Sequence, residues 1–238
     1  MDVTNKVLVK KYNKNDFRFY EYFRNHLSNI GVDEMEQLHK KLPKDFMPIK
    51  KVNVQDDQDL KIYEYLYSID RGYSLKSSDE KGYFLKECEK FVQMLSKDVF
   101  CEDLVYQAKP TLRVHFHNNL AVGGFHRDRD YNHPIEEINI WVPITRAYET
   151  CTIWIETAFN NNDFKPISVN YGEFIIFDSG LKHGNHINRT GISRLSFDLR
   201  VIPLSKWNSV KLSGTSIDQN KSFEIGDYYE MMSTTKEL

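Results

Sequence analysis

His126-Arg127-Asp128, followed by His183 and then by Arg194-Leu195-Ser196, are residues whose types and order can hold a metal and an organic acid. Two imidazoles and one carboxylate are the ligand set of the facial triad that binds non-haem Fe(II) and leaves other coordination positions open. On an extended segment His126 and Asp128 share a face, because strand side chains alternate with period two. One short strand can then supply two ligands, and a distant strand must bring the third. Arg194 offers a planar fork for a carboxylate, with the Ser196 hydroxyl on the same strand face to assist. A metal with a carboxylate anchor one strand away is what an organic-acid cosubstrate needs.

His183 is preferred as the third ligand, with His186 as its rival. Arg113, Asn139 and Thr152 are further candidates for the other end of the cosubstrate or for the substrate, each with an equally good structural reading. Arg200 has the same face parity as Arg194, and either shares anion binding or balances Asp198. His115, His117, His133 and His186 are pocket or surface histidines, and Trp141 and Trp154 either form an aromatic wall or, the preferred reading, pack in the core. Arg127, Arg129, Lys182 and Arg189 are read as ordinary loop charges rather than a phosphate site.

The elements that must position these groups change character near residue 100. Before it, helices are expected over roughly 15–30, 33–41, 57–71 and 80–98, where apolar residues such as Leu60, Tyr63, Leu66 and Tyr67, or Phe84, Cys88, Phe91, Val92 and Leu95, recur at helical spacing. Ser77 and Glu80 have capping-box spacing. Beyond it the pattern alternates, and strands are expected over 103–108, 111–117, 123–128, 137–144, 151–156, 166–169, 172–177, 181–187 and 192–202. Polar positions share faces: Arg113, His115 and His117; Asn139 and Trp141; Thr152, Trp154 and Glu156; Arg194, Ser196, Asp198 and Arg200. Such faces read as the lining of a site inside a small barrel, with the apolar faces packed under the N-terminal helices. The expected fold class is mainly β with N-terminal helices (α+β).

The chain is expected to be a single domain over 1–238: a mostly helical support region over 1–100, a catalytic core over 101–203 and a C-terminal extension over 204–238. The Phe223–Met232 part of the extension is too aromatic for a purely solvated tail; it packs over the barrel mouth or covers an edge strand. Hydrophobic residues are 40% and charged residues 28%, as in an ordinary globular protein. A net charge of −2 gives no reason to expect a nucleic-acid partner. No apolar run is long enough for a membrane span, and the start lacks an apolar leader, so a cytoplasmic protein is expected. Cys88, Cys101 and Cys151 read as buried thiols rather than a disulfide framework. Oligomeric state is not readable.

The ordered H-x-D, H and R-x-S set resembles that of the Fe(II)/2-oxoglutarate-dependent oxygenases, in particular their phytanoyl-CoA hydroxylase-like branch. Within that branch the chain is similar to the StrG-like proteins associated with streptomycin-type and carbohydrate gene clusters. The narrower likeness rests on residues 119–122, Gly124–Asp128, Ile138–Pro143, His183–Asn185 and Arg194–Pro203, and covers roughly 110–203. The resemblance implies a double-stranded β-helix, or jelly-roll, core. It implies Fe(II) on His126, Asp128 and His183, with 2-oxoglutarate and O2 as cosubstrates and Arg194 and Ser196 on the 2-oxoglutarate carboxylate. It implies a small-molecule substrate such as a sugar, aminocyclitol or nucleotide-linked sugar. Because halogenating relatives lack the carboxylate ligand, Asp128 points to hydroxylation, desaturation or cyclisation. A cupin-like metal protein without 2-oxoglutarate leaves Arg194-Leu195-Ser196 unexplained; a catalytically silent jelly-roll module leaves the ligand set unexplained; a structural zinc site lacks well-spaced cysteines.

Overall fold

A computed structural model describes residues 1–28, 31–41, 82–121, 124–210, 214–216 and 221–235. The helix expected over 57–71 and the Ser77–Glu80 helix start lie outside the described residues. The chain is mainly antiparallel β with a few helices, and its core is a jelly-roll of two sheets.

Strand β1 (Val7–Lys11) leads into helix α1 (Phe19–Ser28), and α2 (Tyr83–Met94) follows the undescribed stretch. The helix expected over 33–41 is a 3-10 segment, Met35–Lys41, and α2 runs on into a π-helical stretch, Leu95–Phe100. Then come β2 (Leu104–Gln107), β3 (Thr111–His115), β4 (Ile138–Pro143), β5 (Trp154–Glu156), β6 (Phe164–Pro166), β7 (Glu173–Asp178), β8 (His183–Gly184), β9 (Arg194–Pro203), a single turn α3 (Leu204–Trp207) and β10 (Tyr229–Met232). The larger sheet has the order β1-β7-β4-β9-β2-β10, with β3 also on β9; the smaller is β6-β5-β8. From β4 onward the chain crosses between the sheets, which is how distant residues come to face one another inside.

Strand β9 is the spine. Its first half pairs with β3 (His115↔Arg194 to Thr111↔Asp198), its second half with β2, and its other edge with β4 (Pro143↔Ser196 to Ile138↔Val201). Its outward residues Leu195, Phe197, Leu199 and Val201 join Ile138, Ile140, Val142, Leu112 and Val114 in one core with Phe19, Phe23, Phe84, Phe91 and Leu95 of the helical layer. The apolar faces thus do pack under the N-terminal helices, as the alternation implied. The helix α2 buries Phe84, Cys88, Phe91 and Val92 at helical spacing. A smaller core of Trp141, Ile153, Ile155, Ile175, Phe177 and Leu181 lies inside the roll.

Several expected strands are shorter or displaced. Within 123–128 the described residues form only a bridge at His126, and within 181–187 only two residues pair as a strand. The segment 149–151 is a 3-10 turn, so β5 starts at Trp154; β6 precedes the expected 166–169, where Val169 makes only a bridge to Ala147. Strands β1 and β10 were not expected. Strand β10 pairs with β2 and so caps that edge of the sheet. Of the cysteines, Cys88 and Cys151 are buried, but Cys101 is exposed, at a left-handed residue that ends the π-helical stretch.

Phe91 packs edge-on against Tyr12, Phe17, Phe19, Phe174 and Phe197 with centroids 5.3–6.3 Å away. Phe91→Ala is expected to cost about 3–5 kcal/mol of stability, measured by urea unfolding. A loss under 1 kcal/mol would show that the helical layer does not clamp the sheet.

Candidate metal centre

The centre begins with backbone pairing. His126 and His183 exchange reciprocal N–H···O bonds of 2.9 Å in an antiparallel bridge. That pairing puts both side chains on one face, and their rings lie 4.7 Å apart between centroids. Gly184, next in β8, lets the chain close up: a Cβ there would sit 3.0 Å from the Phe125 Cα. After His126 the chain leaves the sheet and enters a 3-10 turn, Asp128–Tyr131, which swings the Asp128 carboxylate inward. One ligand atom from each of His126, Asp128 and His183 lies within 4.8 Å of the others. Asp128 Oδ1 is 3.7 Å from Nε2 of either histidine.

The hydrogen bonds select which atoms point at the centre. Nδ1 of His126 is 3.0 Å from the Gly124 carbonyl, and Nδ1 of His183 is 3.0 Å from the Leu181 carbonyl. A carbonyl only accepts, so each neutral ring carries its proton on Nδ1 and keeps an Nε2 lone pair for a cation. Asn139 donates to Oδ2 of Asp128 at 2.8 Å, and Arg200 Nε stands 3.5 Å from the same oxygen. Burial alone would raise the Asp128 carboxyl; Arg200 foremost and then His183 outweigh it and hold the group well below the usual carboxylate range. Burial lowers His183 to about 4 although Asp128 opposes the shift, so the ring is neutral near pH 7. A neutral imidazole pair and an ionised carboxylate are the protonation states that a divalent cation needs.

A cavity of about 220 Å³ opens over this centre, lined also by Arg113, Tyr131, His133, Asn139, Trp141 and Arg194. Arg194 is buried, its guanidinium 5.1 Å above the Trp141 ring, and it donates to the Ser196 hydroxyl at 2.6 Å. Arg113 pairs with Asp198 at 2.9 Å, and Arg200 holds the other Asp198 oxygen at 3.2 Å and Gln107 at 3.2 Å. Asn139 therefore serves Asp128, and Arg200 joins Asp128 to Asp198.

Thr152 lies outside the cavity lining. Its hydroxyl is donated to the Ile167 carbonyl at 2.6 Å; the alternation expected over 151–156 is kept, but its apolar face, Ile153 and Ile155, is the one turned inward, with Ile155 opposite His183. His186 is away from the centre too, with its ring against Trp154 (4.6 Å) and Phe125 (5.2 Å). Trp141 lines the cavity rather than serving only as packing. Arg127 is paired with Glu156 at 3.1 Å and Arg129 with Asp178 at 2.9 Å, and Arg189 donates to Asn118 at 2.9 Å. No helix among the described residues is long and apolar enough to cross a membrane.

Over 130 residues the chain is 43% identical to the streptomycin biosynthesis protein StrG of Streptomyces griseus, a homologue over that stretch; the match covers 54% of this chain and 61% of StrG, less than two thirds of its length. No family model matches the chain. Among solved structures the chain is similar to the non-haem alpha-ketoglutarate-dependent carbocyclase SnoK from nogalamycin biosynthesis (9% identity, 95% of this chain and 92% of that one, TM-score 0.48). The epimerase SnoN in complex with Fe3+, alpha-ketoglutarate and nogalamycin RO is similar at 10% identity (71% and 88% covered, TM-score 0.44). The non-haem monooxygenase ThoJ, as its Ni complex, matches at 12% identity (58% and 60% covered, TM-score 0.46).

His115, opposite Arg194 in the β3–β9 ladder, is fully buried. Burial, and then the Arg194 charge, lower its ring to about 3. Unfolding frees it to take a proton at an ordinary pKa near 6.5. Its contribution is therefore complete above about pH 6.5 and falls as pH drops toward 3, by about 1.4 kcal/mol per unit at most. Urea unfolding of the metal-free protein at several pH values should show a steeper acid-side loss in wild type than in His115→Gln. Equal slopes would refute the buried neutral ring.

Proposed function

We propose that this chain is a non-haem Fe(II)/2-oxoglutarate-dependent oxygenase that hydroxylates a small polar metabolite, such as a sugar, an aminocyclitol or a nucleotide-linked sugar. The observation that carries the reading is the presence, in one cavity, of the converging His126, Asp128 and His183 atoms and of the buried Arg194, with Ser196 just outside the lining and hydrogen-bonded to that arginine. The donor set fits Fe(II): two Nε2 atoms fixed by backbone acceptors and one carboxylate held ionised, with no fourth His, Cys, Asp or Glu grouped with them among the described residues. It fits a structural zinc site poorly, since such sites are closed by four protein ligands.

Arg194 and Ser196 would hold the distal carboxylate of 2-oxoglutarate. The Trp141 face beneath the guanidinium restrains its plane, and the Ser196 hydroxyl, which accepts from Arg194, keeps its own proton to donate. When bound, the iron and 2-oxoglutarate supply the oxidising power, with O2 consumed and succinate and CO2 released. The protein's share is position and dryness. Phe177, Ile153 and Trp141 keep water from the cavity wall, and Asn139 with Arg200 fixes the Asp128 carboxylate by its outer oxygen. The identity with a streptomycin biosynthesis protein supports a substrate of sugar or aminocyclitol character.

Anaerobic Fe(II) titration with and without 2-oxoglutarate tests this reading through the visible charge-transfer band of the chelate. The band is expected in wild type and is lost in Asp128→Ala and in His183→Ala, together with tight iron binding. Iron binding with no such band would favour a cupin-type site without 2-oxoglutarate.

Arg194→Ala should raise the 2-oxoglutarate requirement by roughly 30- to 1000-fold, the equivalent of about 2–4 kcal/mol for a lost charge-assisted contact. Its Fe(II) affinity should change far less. An unaltered 2-oxoglutarate dependence would take the carboxylate away from Arg194.

A further inference from the structure

Between the 3-10 turn that carries Asp128 and strand β4, the chain passes through His133 and Glu137. His133 lines the cavity beside Tyr131 and Arg200. Its Nδ1 lies 2.8 Å from Oε2 of Glu137, whose side chain is fully buried. The other Glu137 oxygen accepts a hydrogen bond from the Tyr229 hydroxyl, on β10 of the C-terminal segment. Burial, and then the Glu137 charge, keep the Tyr229 phenol far above its ordinary pKa, so it remains a donor. Phe223 and Tyr228 of the same segment pack on the His133 ring, at 4.8 and 5.9 Å between centroids.

The chemistry of this chain of contacts has a direction. An ionised carboxylate only accepts, so His133 and Tyr229 must both donate to Glu137. The neutral His133 ring therefore carries its proton on Nδ1, and Nε2 is left as a lone-pair acceptor on a residue of the cavity wall. Glu137 and Tyr229 do not line the cavity, and neither belongs to the cluster of metal-binding atoms. Their arrangement orients the imidazole and leaves the centre itself alone.

We infer that His133 is a specificity-determining residue whose Nε2 accepts a hydrogen bond from a hydroxyl or ammonium group of the substrate, set in place by the Glu137–Tyr229 pair and the C-terminal segment. It rests on the proposed oxygenase reading for the existence of a substrate, and it deepens that reading by naming the group recognised. The favoured ligand is donor-rich beside the carbon to be oxidised; a ligand offering only acceptors is disfavoured. The C-terminal segment thus backs His133 from behind the cavity wall, as well as covering the β2 edge.

The experiment is 15N NMR of the full-length, metal-free protein labelled at histidine, at a pH where the ring is neutral, with the His133 signals assigned by their loss in His133→Gln. The expected result is a protonated Nδ1 and an unprotonated Nε2. The Nε2 resonance should move on addition of myo-inositol or D-glucosamine and stay put with 1,4-dioxane, which has no donor. His133→Phe should weaken binding of the responding polyol roughly 3- to 10-fold, as for one lost neutral hydrogen bond. Glu137→Gln should mix the two tautomers. Should that variant fail to fold, Tyr229→Phe, which leaves Glu137 one donor fewer and a stronger acceptor, should keep Nδ1 protonated, and a protonated Nε2 in it overturns the assignment. A protonated Nε2, or no response to either polyol, overturns the inference. Since neither iron nor 2-oxoglutarate is needed, a responding His133 in a protein without the charge-transfer band would sink the oxygenase reading alone. A normal band with a silent His133 would sink this inference alone.

Discussion

Two backbone hydrogen bonds between His126 and His183 are the constraint on which the candidate centre depends. Residues far apart in sequence cannot be brought to one face by local preference; a reciprocal antiparallel pair does so without adjustable geometry. That pair is itself held in a short stack. His183 and Gly184 pair with Ile155 and Trp154 of β5, and β5 pairs with β6. Each strand of this smaller sheet is too short to be stable alone, so its order comes from packing of Ile153, Ile155 and Leu181 against the larger sheet. The close approach at Gly184 is part of the same device, since a side chain there would push on Phe125 and hence on its neighbour His126.

Charge is managed by alternation. Along the cavity wall Asp128, Arg200, Asp198 and Arg113 alternate in sign, each within 3.5 Å of the next. Burying any one of them alone would cost several kcal/mol, on the order expected for an isolated ion in a low-dielectric site. As a row, each charge has its counterpart, and the row also sets orientation. Asn139 and Arg200 both engage Oδ2 of Asp128, so Oδ1 is the oxygen turned to the two imidazoles. A cation held at the centre would share the Asp128 carboxylate with Arg200.

The parts of this arrangement legible in the sequence are those where period-two alternation runs unbroken. In β9 the polar set Arg194, Ser196, Asp198 and Arg200 against Leu195, Phe197, Leu199 and Val201 is unambiguous, and β4 behaves alike. Reading failed over 151–156 in the choice of face: alternation separates Thr152 and Trp154 from Ile153 and Ile155 correctly, but it does not say that the smaller sheet turns its apolar side inward. It also failed at edges. Strand β1 is half-exposed to exposed along its length, so its Val-Leu-Val-Lys-Lys pattern shows no buried face to alternate with. The choice between His183 and His186 turned on tertiary pairing: His183 bridges to His126, while His186 stacks among aromatic rings. His133 is held by Glu137 only four residues away, but the Tyr229 bond that fixes Glu137 is long-range, and no spacing announces it.

The polar interior is possible only because the other face of the larger sheet carries the packing load. Sheets need one buried apolar face, and here Ile138, Ile140 and Val142 with the outward residues of β9 supply it against α1 and α2. The inward positions are thereby released from core duty and can hold arginines, an asparagine and a carboxylate. This division fails under a slip of one residue, which would send Arg194 and Arg200 into the helical layer and leucines into the cavity. Strand β9 resists such a slip because both of its edges are paired along nearly its whole length, to β4 on one side and to β3 and β2 on the other. Substitutions confined to the inward positions away from the ion pairs, such as Trp141 or Ile153, alter the cavity while leaving that register intact, so the cavity can change shape on this frame without remaking the fold.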